Sequence, residues 1–399
     1  MLNLGDITLI NGAECPSVDV IIGGSPCQNL SIAGTREGLQ GKESSLFSHQ
    51  IRIVKEMREQ DMKVNRHAGE KIRPRYMVWE NVPGAFSTHK GEDFYKVLTE
   101  IASITGENVF IPRPPNGKWS TAGEIVGDSF SIAWRVIDAQ YWGVPQRRRR
   151  IALIADFGGQ RAGEILFKPQ GLSGNTAQSR TQRKETPRYI TTSIDSTICL
   201  QGNGIDRTEK SGCCGKGWRY DVAYTLNTTD RHEVLVSAEN KIHLSLHSFI
   251  YDARGNGDGF ISPTLTGDHQ NRITDYTAIL LSNKPYAVRR LTPLECERLQ
   301  GYPDDWTDIG EWIDNKGKIH KPSDSPRYKA LGNSIALPAW EWLLQALSDT
   351  YETTPTMASL FDGIGGFTYL WETINGSGSV KWISEIEPFP LAVTQRRFD

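Results

Sequence analysis

Long apolar runs, cysteines and net charge are all scarce in this chain. No stretch of about 18 consecutive apolar residues exists, which excludes an ordinary membrane-spanning helix. The opening residues, Met1-Leu2-Asn3-Leu4-Gly5-Asp6, lack the basic and apolar regions of a secretory signal, so a cytoplasmic protein is expected. Only six cysteines occur in 399 residues, at 15, 27, 199, 213, 214 and 296. The adjacent pair Cys213-Cys214 is not a zinc spacing, and no metal is expected. Reduced thiols in a cytosolic protein are the simplest account. The formal net charge is −2, so bulk charge announces no nucleic-acid partner and any basic surface must be local. Hydrophobic residues make up 38%, enough for a sizeable core. The length suits one large domain with an insertion, or two domains.

What is present is organised in three stretches. Residues 1–158 alternate short apolar runs with helical patterns. Val18–Ile22, Tyr76–Trp79 and Ile151–Ile154 read as strands, and Ser44–Glu59 reads as an amphipathic helix. Such alternation implies a parallel sheet covered by helices. The character changes from about Gly159, and residues 172–285 are rich in Thr, Ser, Asn, Gly and Asp, with short β-like runs such as Ala278–Leu281. Ala223–His232 and Ser262–His269 are faintly alike, as duplicated hairpin units would be. This stretch reads as a separate, loop-rich, mostly β domain. Helical signals return in 286–399. Thr292-Pro293-Leu294-Glu295 is a capping box with proline at the first helical position. An apolar helix over Pro338–Leu347 is followed by the polar link Ser348–Thr356, then by a strand over Ala358–Phe361.

Four clusters carry chemical potential. Cys27 sits in Gly23-Gly24-Ser25-Pro26-Cys27-Gln28, just past the apolar run Val18–Ile22. A residue past such a strand lies where open α/β sheets place their ligands. The bland alternative is a buried structural cysteine. The flanking Gly, Pro and Gln shape a polar loop that a core cysteine does not need. Glu80, in Val78-Trp79-Glu80-Asn81-Val82-Pro83, follows the next strand and faces the same crevice by the same logic. Gln146-Arg147-Arg148-Arg149-Arg150 runs into the strand Ile151–Ile154. Alternate residues share a face, so Arg148 and Arg150 point together. The bland reading is a solvated basic flank. Lastly, Phe361-Asp362-Gly363-Ile364-Gly365-Gly366-Phe367 is a glycine turn after a strand, with Glu385 downstream of a second strand, Val380–Ile383. That is the layout of an adenosine-binding βαβ unit, although an isolated glycine turn is often only a tight turn.

Together these segments resemble the motif set of the DNA cytosine-5 methyltransferases. The resemblance rests on Ser25-Pro26-Cys27-Gln28, Glu80-Asn81-Val82, Gln146–Arg150, Arg290–Glu295, Gly332-Asn333-Ser334 and Phe361–Phe367, with Gly5-Asp6-Ile7-Thr8 added. It covers nearly all the chain outside 160–285. It implies a Rossmann-like, S-adenosylmethionine-dependent α/β methyltransferase fold, with 159–285 as a smaller target-recognition domain that reads double-stranded DNA. It implies Cys27 as the nucleophile at carbon 6 of cytosine. Glu80 would bond ring nitrogen 3, with Arg150 and Arg148 holding the base carbonyl and the catalytic loop. The base would be flipped out of the helix. For the cofactor it implies Phe361, Asp362, Gly363, Ile364, Gly365, Glu385 and Ile386 from the glycine-turn unit. Asp6, Ile7, Pro26, Asn333 and Ser334 complete that set. Ile386 stands where the family often has Trp.

The motif order departs from the family. The glycine turn stands at the end of the chain, and joining Asp399 to Met1 restores the usual order, so the fold is expected to be circularly permuted. Permutation succeeds at exposed joints. The implied setting is a restriction-modification system or a phage, with a cognate endonuclease as a functional partner and a monomer as the working unit. Two alternatives stand beside this reading: a DNA-binding relic without catalysis, and an RNA cytosine-5 methyltransferase.

Overall fold

A computed structural model describes residues 1–25, 46–64, 71–107, 109–167 and 291–398, together with the backbone of six strands between 198 and 290. Pro26, Cys27 and the 223–232 and 262–269 similarity lie outside the described residues. The strands are β1 (Leu2–Asn3), β2 (Val20–Gly23), β3 (Tyr76–Asn81), β4 (Ala122–Val126), β5 (Ser131–Asp138) and β6 (Arg149–Asp156). They continue with β7 (Ile198–Leu200), β8 (Trp218–Tyr220), β9 (Glu233–Ser237), β10 (Ser248–Asp252), β11 (Thr277–Leu281) and β12 (Tyr286–Arg290). The last four are β13 (Trp312–Ile313), β14 (Ile319–His320), β15 (Met357–Leu360) and β16 (Val380–Ser384). The helices are α1 (Leu46–Lys63), α2 (Glu92–Ala102), α3 (Ala162–Phe167) and α4 (Pro293–Gln300). After them come α5 (Asp324–Asn333), α6 (Leu337–Ser348), α7 (Gly366–Asn375) and α8 (Pro388–Phe398).

One eight-stranded sheet dominates, in the order β1-β16-β15-β2-β3-β6-β5-β4. The first five strands are mutually parallel. The strand expected at Ile151–Ile154 is present as β6, but it runs antiparallel to β3. The reason is its connection. β5 and β6 are sequence neighbours joined by the short segment 139–148, which returns the chain antiparallel, and β6 inserts between β5 and β3, which share a direction, so it opposes both. An apolar run shows burial on both faces and carries no information about direction.

Alternation within each strand sorts the core. Val20, Ile22, Tyr76, Val78, Ala152 and Ile154 face a cluster built with α3, α4, α6, α7 and α8. Ile21, Met77, Trp79, Ile151, Leu153 and Ala155 face the opposite cluster, built with α1 and α2. Both sheet faces are covered, so the central strands are apolar at nearly every position. The capping box at α4 forms as expected, with Thr292 Oγ1 accepting from the Glu295 amide and the Glu295 carboxylate accepting from the Thr292 amide at 2.8 Å. The short helix α3 packs on β5. β12 pairs with β9 in a four-stranded sheet ordered β12-β9-β7-β8, and β10 pairs with β11. No helix among the described residues is long and apolar enough to cross a membrane.

The two ends of the chain meet in the large sheet. β15 lies between β16 and β2, with Met357 opposite Val20 and Leu360 opposite Gly23. β1 adds to the outer side of β16, with Leu2 opposite Trp382.

Candidate active site at one edge of the sheet

Strand direction brings the candidate residues to a single edge. The carboxyl ends of β1, β16, β15, β2 and β3 lie there, and the antiparallel β6 contributes its beginning. Glu80 is opposite Ala152 in the register, and Asn81 is opposite Ile151. Arg150 therefore arrives beside Glu80.

On the β2–β3–β6 side, Arg150 Nε is 2.8 Å from Glu80 Oε1, and each side chain is only 14% exposed. Gly24 lies flush against this pair. A Cβ at Gly24 would stand 3.0 Å from Glu80 Oε2. Ser25 is buried and fixed from two directions: Trp79 Nε1 donates to Ser25 Oγ at 3.1 Å, and Asn81 Nδ2 donates to the Ser25 carbonyl at 3.2 Å. The chain is thus pinned against Glu80 and Asn81 immediately before Pro26 and Cys27.

Arg148 and Arg150 serve different neighbours. Arg148 is 2% exposed, and its Nη2 donates to the carbonyls of Gly332 (3.1 Å) and Ser334. Its amide donates to Asp138 Oδ1 at 3.1 Å. Ser334 Oγ in turn hydrogen-bonds the Tyr302 hydroxyl, and a side chain at Gly366 would collide with that hydroxyl. Ser334 is half-buried and Asn333 is exposed. Gln146 is fully buried, and its amide has no hydrogen-bond partner among the described residues.

On the β15–β16–β1 side, the glycine turn follows β15 directly. Phe361 has φ 56, in the left-handed region that bulky residues rarely adopt. The conformation is held by neighbours: the Asp362 amide donates to the Ser384 carbonyl at 3.3 Å, and the Gly365 amide to the Asp362 carbonyl at 3.0 Å. Gly363 has φ 59, and the space a side chain would take there is open. Gly365 has φ 79 and faces inward, where a Cβ would come within 2.6 Å of the Phe398 ring. Ile364 is fully buried, and its carbonyl accepts from Trp306 Nε1 at 2.9 Å.

Glu385 closes this side from the end of β16. Its carboxylate accepts from the amides of Gly363 (2.8 Å), Ile386 (2.8 Å) and Glu387 (2.7 Å). Asn3, on β1, holds the Glu385 backbone through its side-chain amide, 3.1 Å each way. Burial pushes the Glu385 carboxyl above its ordinary value, against the lowering effect of those amides. Asp362 is buried too, and burial pushes its carboxyl up to about 7. Ile386 is 57% exposed and presents an open aliphatic face. Asp6 caps its own turn, with Oδ1 accepting from the Thr8 amide at 2.9 Å, and this holds its carboxyl below the usual range; Ile7 is buried beside it.

The described edge thus brings together Glu80, Arg148 and Arg150 on one side and Phe361, Asp362, Gly363 and Glu385 on the other. Sequence reasoning named Ser25 only as part of the Ser25–Gln28 motif and assigned nothing to Tyr302, Trp306, Ser359 or Thr368. The contacts of Ser25, Tyr302 and Trp306 join positions as far as 91 residues apart, and those of Ser359 and Thr368 with Asp362, 3 and 6 residues apart, form only once the turn is folded. Cys15 and Cys296 are poor nucleophiles. Burial pushes the Cys15 thiol up to about 11 and raises that of Cys296 further.

The chain matches the family model of C-5 cytosine-specific DNA methylase over residues 1–111 and 122–349. The match stops before β15 and its turn. A curated relative, named DNA N-6-adenine-methyltransferase, from Escherichia phage P1, is 28% identical over 86% of this chain. The chain spans only 54% of that relative's length. The orphan methyltransferase M.SPRI of Bacillus phage SPR is 24% identical over 88% of this chain and 87% of its own. The type II methyltransferase M.HhaI of Haemophilus parahaemolyticus is 23% identical over 88% of this chain and 82% of its own.

Proposed function

Because the chain belongs to the C-5 cytosine-specific DNA methylase family, we propose that it transfers a methyl group from S-adenosylmethionine to carbon 5 of a flipped-out cytosine in a specific duplex sequence, through a covalent adduct of Cys27. The observation that carries this reading is the Glu80–Arg150 ion pair at 2.8 Å. It lies against Gly24 and Ser25, on the same sheet edge as the glycine turn and Glu385.

The residues fit the chemistry. Cytosine is a poor nucleophile at carbon 5. A thiolate from Cys27 adding to carbon 6 pushes electrons through the ring and makes carbon 5 electron-rich. A thiol near pKa 8.5 needs help to ionise, and a guanidinium such as that of Arg150 would supply it. Glu80, with a proton taken up from solvent as the adduct forms, would donate to ring nitrogen 3 and keep the added electron pair from returning. Arg150, paired with Glu80, would hold the base carbonyl as well. Arg148 acts indirectly, fixing the Gly332–Ser334 segment. Loss of the carbon 5 proton to water and departure of the Cys27 sulfur as thiolate restore the aromatic ring. A stacked base hides both ring faces, so flipping is required.

The β15–β16 turn fits the methyl donor, which supplies a methyl group activated by its sulfonium. Gly363 faces open space, so backbone can approach a ligand. Glu385, with lone pairs beyond its three amide donors, suits ribose hydroxyls, and Phe361 with Ile386 offers surfaces for adenine. Gly365 owes its glycine to packing against Phe398, and Asp362 turns its carboxyl inward, so neither side needs to touch the ligand.

Residues 159–285 would serve as the DNA-reading module, within which Arg, Asn and Gln can reach base edges. A permuted chain is supported by two observations: the family match leaves out β15 and its turn, and β15 fills the sheet between β16 and β2. The fitting setting is a restriction-modification system or a phage. Transfer to adenine N6 is a second reading, favoured by the name of the phage P1 relative alone. Incubating the protein with labelled S-adenosylmethionine and mixed-sequence duplex, then identifying the modified base, separates the two. The same assay on RNA tests the RNA alternative, and DNA binding without transfer supports the relic.

A further inference from the structure

Asp362 differs from every other carboxylate at this edge. It is 5% exposed and turned away from the open face of its own loop. Oδ1 accepts from Ser359 Oγ at 2.6 Å and from Thr368 Oγ1 at 3.0 Å, and Oδ2 is also 3.0 Å from Thr368 Oγ1. Both hydroxyl residues are fully buried. Ser359 lies on β15 before the glycine turn, and Thr368 lies in the first turn of α7 after it. One carboxyl therefore clamps the two ends of the loop. Between those ends, Phe361, Gly363 and Gly365 all hold left-handed backbone, a run that a free loop would not keep. The titratable groups facing Asp362 are Glu385, from the end of β16, and Tyr302, from the segment after α4. Arg148 is the cation on the Tyr302 side. No Lys or Arg side chain among the described residues is seen to hydrogen-bond Asp362.

We infer that Asp362 is a positioning residue for the methyl donor: its ionised carboxyl clamps β15 to α7, shapes the turn, and couples cofactor affinity to its own protonation. The inference rests on the S-adenosylmethionine reading of the turn. Burial pushes this carboxyl up to about 7, so its state changes in the neutral range. The ionised form accepts from both hydroxyls at once. The protonated form must spend one oxygen as a donor, which loosens the clamp that shapes the turn.

Calorimetric titration with S-adenosylhomocysteine at pH 6, 7 and 8 tests this, with the unfolding temperature of each protein recorded alongside. Wild type should bind about five- to tenfold more weakly at pH 6 than at pH 8, since one linked proton allows at most about tenfold per pH unit. Asp362→Asn should show the wild-type pH 6 affinity at all three values. Asp362→Ala should bind about tenfold or more weakly at pH 8 while unfolding cooperatively. A flat wild-type profile overturns the inference, as does an Asn variant that keeps the wild-type slope. So does an Ala variant that loses thermal stability but binds normally, because that is a purely structural role. If the Ala variant does not fold, the wild type and Asn comparison decides. A wild type that binds no S-adenosylhomocysteine at any pH overturns the cofactor reading itself, and the inference with it.

Discussion

The two halves of the sheet edge keep carboxylates out of water by opposite means. Glu80 is matched with a guanidinium, Arg150, at 2.8 Å. Glu385 and Asp362 are satisfied by dipoles, three backbone amides for one and two side-chain hydroxyls for the other. An ion pair stabilises the charged form directly, whereas hydroxyls and amides offset burial only in part. The cofactor-side carboxyls are accordingly pushed up in pKa by burial. The difference suits the work proposed for each side. One side must hold a base and an arginine in register, and the other must receive a cationic ligand that brings its own positive charge.

Substitutions can break this comparison. The largest effect is expected for Cys27→Ser, which should lower methyl transfer by about 10⁴-fold or more while leaving S-adenosylhomocysteine binding unchanged in calorimetry. Glu80→Gln should lower transfer by about 10²- to 10³-fold, with cofactor affinity within about twofold of wild type. A matching loss of cofactor affinity would show that the two sides are not separate. Glu385→Ala should reverse the pattern, weakening S-adenosylhomocysteine by about ten- to a hundredfold with duplex binding retained in a gel-shift assay. Gly365→Ala should cost about 2 kcal/mol in urea unfolding, because the new Cβ meets Phe398 at 2.6 Å and φ is 79.

The smallest effect is a pH dependence of the free protein. A carboxyl whose pKa is raised on folding binds its proton more tightly in the folded chain. Its stabilising contribution is full below the ordinary carboxylate range and is lost as pH rises through about 7. Wild type should therefore lose stability relative to Asp362→Asn between pH 6 and pH 8, by about 1 kcal/mol per pH unit at most. Urea midpoints measured at the two pH values check the sign.

Much of this edge was legible in the sequence because strand ends announce themselves. Val20–Gly23, Tyr76–Asn81 and Met357–Leu360 are apolar runs broken by Gly, Glu-Asn and Asp-Gly, and the residues after each break are those that converge. The pairing of Arg150 with Glu80 was not legible, because it depends on β6 running antiparallel. That direction is set by the short β5–β6 link and leaves no mark on the run itself. The sequence pattern points Arg148 and Arg150 the same way, but their division of labour was not legible. Arg148 finds its partners in the carbonyls of Gly332 and Ser334, more than 180 residues away. The inward turn of Asp362 depends likewise on hydroxyls at Ser359 and Thr368, which are unremarkable in sequence and meaningful only once β15 and α7 pack together.

The most direct test of the account is the identity of the base modified when the protein meets duplex DNA and labelled S-adenosylmethionine. Nuclease digestion and mass spectrometry should find 5-methylcytosine, confined to one sequence context. Label appearing in N6-methyladenine, or no transfer to DNA at all, would contradict it.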